Sequence, residues 1–98
     1  MDRKDVIDIV RNYKSAIADI VGDAKVYLYG SYSKGGATPD SDIDVAVIVP
    51  HCNGDWLQCS SQLWYKTIST STLIEPVLIE ECHPSPLYED ILRTGILI

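Results

Sequence analysis

A chain of 98 residues has material for one small domain, residues 1–98, and little else. Its 46% hydrophobic content is enough for a core, which excludes wholesale disorder. Lysine and arginine total 8 against 14 acids, a net charge of -6 that argues against direct nucleic-acid binding through neutralised phosphates.

Three cysteines, Cys52, Cys59 and Cys82, make no even framework and favour a reducing compartment. The first ten residues alternate charged and apolar side chains, so they contain no secretory core. The longest apolar run, 45–50, is far too short to cross a bilayer. The expectation is a soluble cytoplasmic protein with no membrane role.

Val6, Val10, Tyr13, Ile17 and Ile20 recur at three- and four-residue steps and predict an amphipathic helix over 3–21, capped by Gly22. Residues 26–29 read as a short strand ended by Gly30. Ser31 to Lys34 suits one helical turn within a loop marked by Gly35-Gly36 and Thr38-Pro39-Asp40. A second strand over 42–49 puts Ile43, Val45, Val47 and Val49 on one face. Asp42, Asp44, Ala46 and Ile48 fall on the other. Past the acids both faces are apolar, so this strand is expected at the centre of a sheet.

Pro50 and Asn53-Gly54 end it, and Asp55 is an N-cap for a helix over 56–69. Trp56, Ser60, Leu63, Trp64 and Thr67 line one stripe of that helix. Trp56, Trp64 and Tyr65 are read as core or interface, and this aromatic area hints at a homodimer. A third strand follows over 73–80, where Pro76 suggests an edge or a bulge. After a loop at His83-Pro84-Ser85-Pro86, a last helix spans 87–94, and Ile96-Leu97-Ile98 dock on the core. The order predicts an α/β fold, a small mixed β-sheet with helices packed on it.

The chemistry concentrates between the first two strands. Gly30 lets backbone approach a phosphate, Ser31 supplies a hydroxyl and an N–H, and Lys34 adds a cation. Asp42 and Asp44 lie two apart on a strand, so they project from one face, about 6–7 Å apart. Two such carboxylates repel unless a cation intervenes, and magnesium prefers hard oxygen ligands with substrate phosphates. Glu75 is the best candidate for a third acid from the neighbouring strand, ahead of Glu80 and Glu81.

Tyr29-Gly30-Ser31-Tyr32-Ser33-Lys34-Gly35 with Pro39-Asp40-Ser41-Asp42-Ile43-Asp44-Val45-Ala46-Val47 resembles the signature of the DNA polymerase β-like nucleotidyltransferases. The likeness is greatest to the minimal nucleotidyltransferase (MNT) family, small domains that often serve as antitoxins of HEPN ribonuclease toxins. The ending 86–96 resembles that family's last helix. The resemblance implies the polymerase β-like nucleotidyltransferase fold. It implies that Gly30 and Ser31 hold the β- and γ-phosphates of ATP or another NTP, and that Asp42 and Asp44 hold Mg2+, two ions in all. Glu75 takes the position of the third acid, usually aspartate. Lys34 and Tyr32 stand where arginines are common, and lysine lacks arginine's bidentate grip. The implied reaction moves AMP to a hydroxyl of a partner protein, such as a tyrosine of a HEPN-type toxin.

Competing readings accompany this one. The chain is alternatively an antitoxin or nucleotide-binding subunit that acts by contact, with weak or no catalysis. A third reading makes it a subunit serving a separate helical chain in small-molecule nucleotidylation. Asp40-Ser41-Asp42-Ile43-Asp44 mimics the opening of a calcium loop, but Val45 and His51 stand where that loop needs glycine and glutamate. His51-Cys52, Cys59 and Cys82-His83 lack the cysteine spacing of structural zinc sites and read as buried thiols and loop histidines. Tyr32 reads as exposed, or as a stacking surface for a base. Arg3, Lys4, Arg11 and Lys14 read as a solvated face.

Overall fold

A computed structural model describes residues 2–22, 24–38, 41–51, 55–83 and 85–98. The readings that fall on Pro39, Asp40, Cys52, Asn53, Gly54 and Pro84 lie outside the described residues. The elements run α1 (Arg3–Ala16), α2 (Ala18–Val21), β1 (Lys25–Tyr29), α3 (Ser31–Lys34), β2 (Ile43–Val49), α4 (Trp56–Thr70), β3 (Ile74–Glu80), α5 (Pro86–Thr94) and β4 (Ile96–Leu97). The sheet order is β3-β2-β1-β4. β1 is antiparallel to both β2 and β4, while β2 and β3 are parallel and joined through α4. The sheet is therefore mixed, with β2 in its interior, as the unbroken apolar run of that strand predicts.

Strand alternation decides what each face holds. Ile43, Val45, Val47 and Val49 join Val26, Leu28, Ile74 and Leu78 in one core cluster under α1 and α4. Ala46 and Ile48 join Ile79 on the opposite face, where Ile91 of α5 covers them. Asp44 shares the parity of Ala46, so it emerges on the α5 side.

The first helix is one residue short of continuous. Asp2 caps it by accepting from the Asp5 N–H at 2.9 Å. At Ile17 the backbone moves to φ -95°, ψ 0°, and α2 restarts at Ala18. Ile17 stays wholly buried, so the break does not change the buried stripe of Val6, Val10 and Tyr13. The Tyr13 hydroxyl donates to the Leu63 carbonyl at 2.7 Å and ties α1 to α4 across the core. Burial holds the Tyr13 phenol well above the ordinary tyrosine range, so it remains a donor.

One aromatic expectation keeps only its interface alternative, and another is corrected. Trp56 and Trp64 of α4 are about half exposed and Tyr65 is 73% exposed, so none of them is core. Only Leu63 and Thr67 of the helix are buried. Tyr32, in contrast, is in the core, 5% exposed, with its hydroxyl near the Thr38 carbonyl. Its place on a helical turn sends the ring inward instead of toward a ligand.

β3 is an edge strand, and its Pro76 is opposite Val45. Ile43 donates to the Leu73 carbonyl at 2.8 Å, and Glu81 donates to the Val49 carbonyl at 2.8 Å. In a parallel ladder these bonds assign the odd-numbered residues of this stretch to β2. Pro76 is even-numbered, so its imide nitrogen points away from β2 and costs the ladder no hydrogen bond. No bulge is needed.

At the other edge, Leu28 and Tyr27 pair with Ile96 and Leu97, and Ile98 donates to the Val26 carbonyl at 2.8 Å. The last residues therefore dock as a strand. No helix among the described residues is long and apolar enough to cross a membrane.

Candidate active site

Three elements meet at the start of β2. Register places Tyr29, Asp44 and Glu75 side by side on β1, β2 and β3. Cross-strand partners share a face, so the three form one row on the α5 side of the sheet. Asp42, exposed and two residues before Asp44, extends the row toward solvent. The structure thus brings Asp42, Asp44 and Glu75 to one end of one face, as their sequence positions predict.

Their charges act on one another. Burial raises the Asp44 carboxyl above its usual range, and the charge of Asp42 raises it further. Glu75 is raised first by the charge of Asp42. Partial desolvation, a hydrogen bond with the Asp42 carboxyl and the charge of Asp44 add to this. Tyr29 is raised by burial, then by Asp44 and Glu75, so its phenol keeps its proton and stands as a donor beside two carboxylates. The three acids do not bring one oxygen each to within 4.8 Å of one another.

The Gly30 turn is built against Asp44. Gly30 has φ 73° and ψ -145°, a region that side-chain-bearing residues avoid. A Cβ there would collide with Asp44 Oδ2 and lie 3.1 Å from Asp44 Cγ. Glycine is thus required twice over, by backbone angle and by the carboxylate pressed on it. Beyond it, the Gly30 carbonyl accepts from the Ser33 and Lys34 N–H groups at 3.2 and 3.1 Å and starts α3. Ser31 is the first residue of α3, and its N–H, like that of Tyr32, belongs to the first turn, where no intrahelical acceptor exists.

Several participants were not foreseen. Arg3 is not merely part of a solvated face: its guanidinium donates to the Tyr32 and Ser33 carbonyls at 3.2 and 3.3 Å. It thereby satisfies the C-terminal end of α3. Lys34 is directed at α5, with Nζ donating to Asp90 Oδ2 at 3.2 Å. Arg93 donates to Asp90 Oδ1 at 2.9 Å. These two cations hold the Asp90 carboxyl below its usual range, Arg93 more strongly. Tyr29 was legible only through strand pairing, and Asp90 only through the fold of α5 onto the sheet.

Residues 10–82 match the family model described as nucleotidyltransferase domain. The chain belongs to that family.

Among curated proteins, a Methanocaldococcus jannaschii protein named as a putative protein adenylyltransferase is 36% identical over 47 residues. The match spans 46% of this chain and about half of that relative, 48%. Among solved structures, a protein named as a putative minimal nucleotidyltransferase aligns with TM-score 0.67 and 25% identity over 100% of this chain and 97% of that one. A variant of the toxin–antitoxin MntA-HpeT aligns with TM-score 0.64 and 23% identity, covering 91% of this chain and 70% of that chain. A toxin–antitoxin structure with AMP-PNP aligns with TM-score 0.52 and 21% identity over 99% and 72%. The last two likenesses establish the nucleotidyltransferase fold and nothing finer.

Proposed function

We propose that this nucleotidyltransferase-family chain works as a single domain in the cytoplasm. It transfers AMP from ATP, with magnesium, to a hydroxyl of a partner protein, as the antitoxin of a HEPN-type toxin. The observation that carries the reading is the Gly30 turn pressed on Asp44, in one row with Glu75 and beside Asp42. The named adenylyltransferase relative and the toxin–antitoxin neighbours support the acceptor and the partner.

The donor set fits the metal. Asp42, Asp44 and Glu75 offer only hard oxygens, and all three stand near charges that a divalent cation would offset. When bound, magnesium supplies positive charge to the triphosphate and to the attacking oxygen. Gly30 and the first N–H groups of α3 are assigned to the β- and γ-phosphates, and the Ser31 hydroxyl donates to the same oxygens. The acceptor hydroxyl attacks the α-phosphorus in line, pyrophosphate departs from the opposite side, and the proton passes to a carboxylate. Glu75, exposed on the edge strand, is assigned that proton. Tyr29, paired with Asp44 across the β1–β2 ladder, keeps its phenol proton beside that carboxylate.

The test is incubation with labelled ATP, magnesium and the candidate toxin. Transfer of label that depends on Asp42 and Asp44 is the expected result. Label that persists unchanged in the Asp42→Ala, Asp44→Ala double variant refutes it.

A second reading, neutralisation by contact with weak catalysis, draws on one observation. The ammonium of Lys34 is paired with Asp90, a carboxylate that competes with a triphosphate for it. Neutralisation of the toxin by the same double variant distinguishes this reading from the first.

A further inference from the structure

The opposite end of β3 carries a donor set of different chemistry. Glu80 closes the strand, and Cys82 and His83 follow in the turn after it. One ligand atom from each lies within 4.8 Å of the other two. Sequence spacing gave Cys82-His83 no cysteine partner, and the structure supplies a carboxylate in its place. We propose that Glu80, Cys82 and His83 form a surface site for a zinc-class divalent ion, separate from the row of acids at the start of β2.

The distances suit such an ion. Tetrahedral zinc holds sulfur at about 2.3 Å and oxygen at about 2.0 Å, which separates the two ligand atoms by about 3.5 Å. Here Cys82 Sγ and Glu80 Oε2 are 3.7 Å apart. The turn is anchored at both ends. Glu81 donates to the Val49 carbonyl at 2.8 Å, which continues the β2–β3 ladder one residue past the strand. His83 donates to the Glu80 carbonyl at 3.0 Å, which closes the turn and fixes the two ends of the donor set. The three donors span four residues, so a metal entering there orders little additional chain.

The chemistry separates this site from the other. Sulfur and imidazole nitrogen select zinc and its borderline neighbours, whereas magnesium prefers oxygen alone. Five residues of strand separate Glu80 from Glu75, about 16 Å along the sheet. Cys82 and His83 are exposed and Glu80 is half-buried, so an ion reaches the site from solvent. At present the Cys82 thiol donates to the Glu80 carboxylate. Metal binding takes the place of that proton on the sulfur. Three protein ligands leave a fourth position open to water or to a side chain of a bound protein.

The test uses the reduced full-length chain with cobalt(II) as a spectroscopic probe and zinc as competitor. The expected result is one tightly bound cobalt with a thiolate-to-metal charge-transfer band, displaced by zinc and not by magnesium. The band persists in Cys59→Ser and in the Asp42→Asn, Asp44→Asn variant. It disappears in Cys82→Ser, and His83→Ala weakens binding at least tenfold. Absence of the band in the wild-type chain at excess cobalt overturns the proposal. So does a band that survives Cys82→Ser, or one lost equally in Cys59→Ser. Unaltered circular dichroism of the Cys82→Ser chain separates loss of a ligand from loss of fold.

Discussion

Gly30→Ala tests the contact on which the proposed site depends. The backbone angles at Gly30, φ 73° and ψ -145°, would cost a side-chain-bearing residue about 1–3 kcal/mol. Gly22 has nearly the same angles, φ 64° and ψ -134°, but a Cβ there meets nothing within 4 Å. Gly22→Ala therefore measures backbone strain alone, and Gly30→Ala measures strain plus collision with Asp44. Overpacking of this kind adds about 1–3 kcal/mol where the neighbour cannot move. In a domain of this size each kcal/mol lowers the melting temperature by about 4–8 °C.

Asp44 has one way out, by turning its carboxylate from Gly30, and then the row of acids is broken. Gly30→Ala is thus expected to melt below Gly22→Ala, or to match it while losing AMP transfer and magnesium-dependent ATP binding. Thermal melts, calorimetric ATP titrations and label transfer read both outcomes. In an Asp44→Ala background the two glycine variants should converge, with a coupling above about 0.5 kcal/mol. A Gly30→Ala chain that melts with Gly22→Ala and transfers AMP at the wild-type rate would refute the reasoning.

Three further outcomes follow from the geometry. Asp90→Asn releases Lys34, and since surface pairs are weak, KM for ATP should fall by no more than about fivefold; the gain should vanish when Lys34→Met is added. Asp44 and Glu75 have raised carboxyls, so their contribution to stability is fully present below the unfolded range near pH ~4 and is lost as pH rises through their folded values. Asp42→Asn should weaken that pH dependence and raise the metal-free melting temperature at neutral pH; a lower one counts against mutual repulsion of the acids. Tyr13→Phe removes the 2.7 Å bond to the Leu63 carbonyl and should destabilise by about 1–2 kcal/mol in denaturant titrations, without changing the slope.

How much could be read from the chain depended on which interaction decided each feature. The face assignment of β2 was legible because alternation is a local property, and Ile43 and Ala46 landed in opposite clusters as their parity requires. The pairing of Glu75 with Asp44 was legible because two strands that start with acids bring those acids together when they run parallel. Tyr32 was misread although its helical turn was expected, because four residues are too few for periodicity to show which side is buried. The core alternative for the tryptophans of α4 fell, leaving the interface one, because only Leu63 and Thr67 of that helix are buried and helical spacing does not say how wide the buried stripe is. Asp90, Arg3 and Glu80 took their roles from contacts between distant segments or around a turn, and composition carries no trace of these.

The outward imide of Pro76 bears on how other molecules meet this protein. An open sheet margin invites a foreign strand to continue the ladder, and that is a common route to unwanted polymers. At Pro76 a visiting strand finds no donor, immediately beside the exposed carboxylate of Glu75. The margin is therefore a poorer template for foreign main chain at the very point where the proposed site opens onto it.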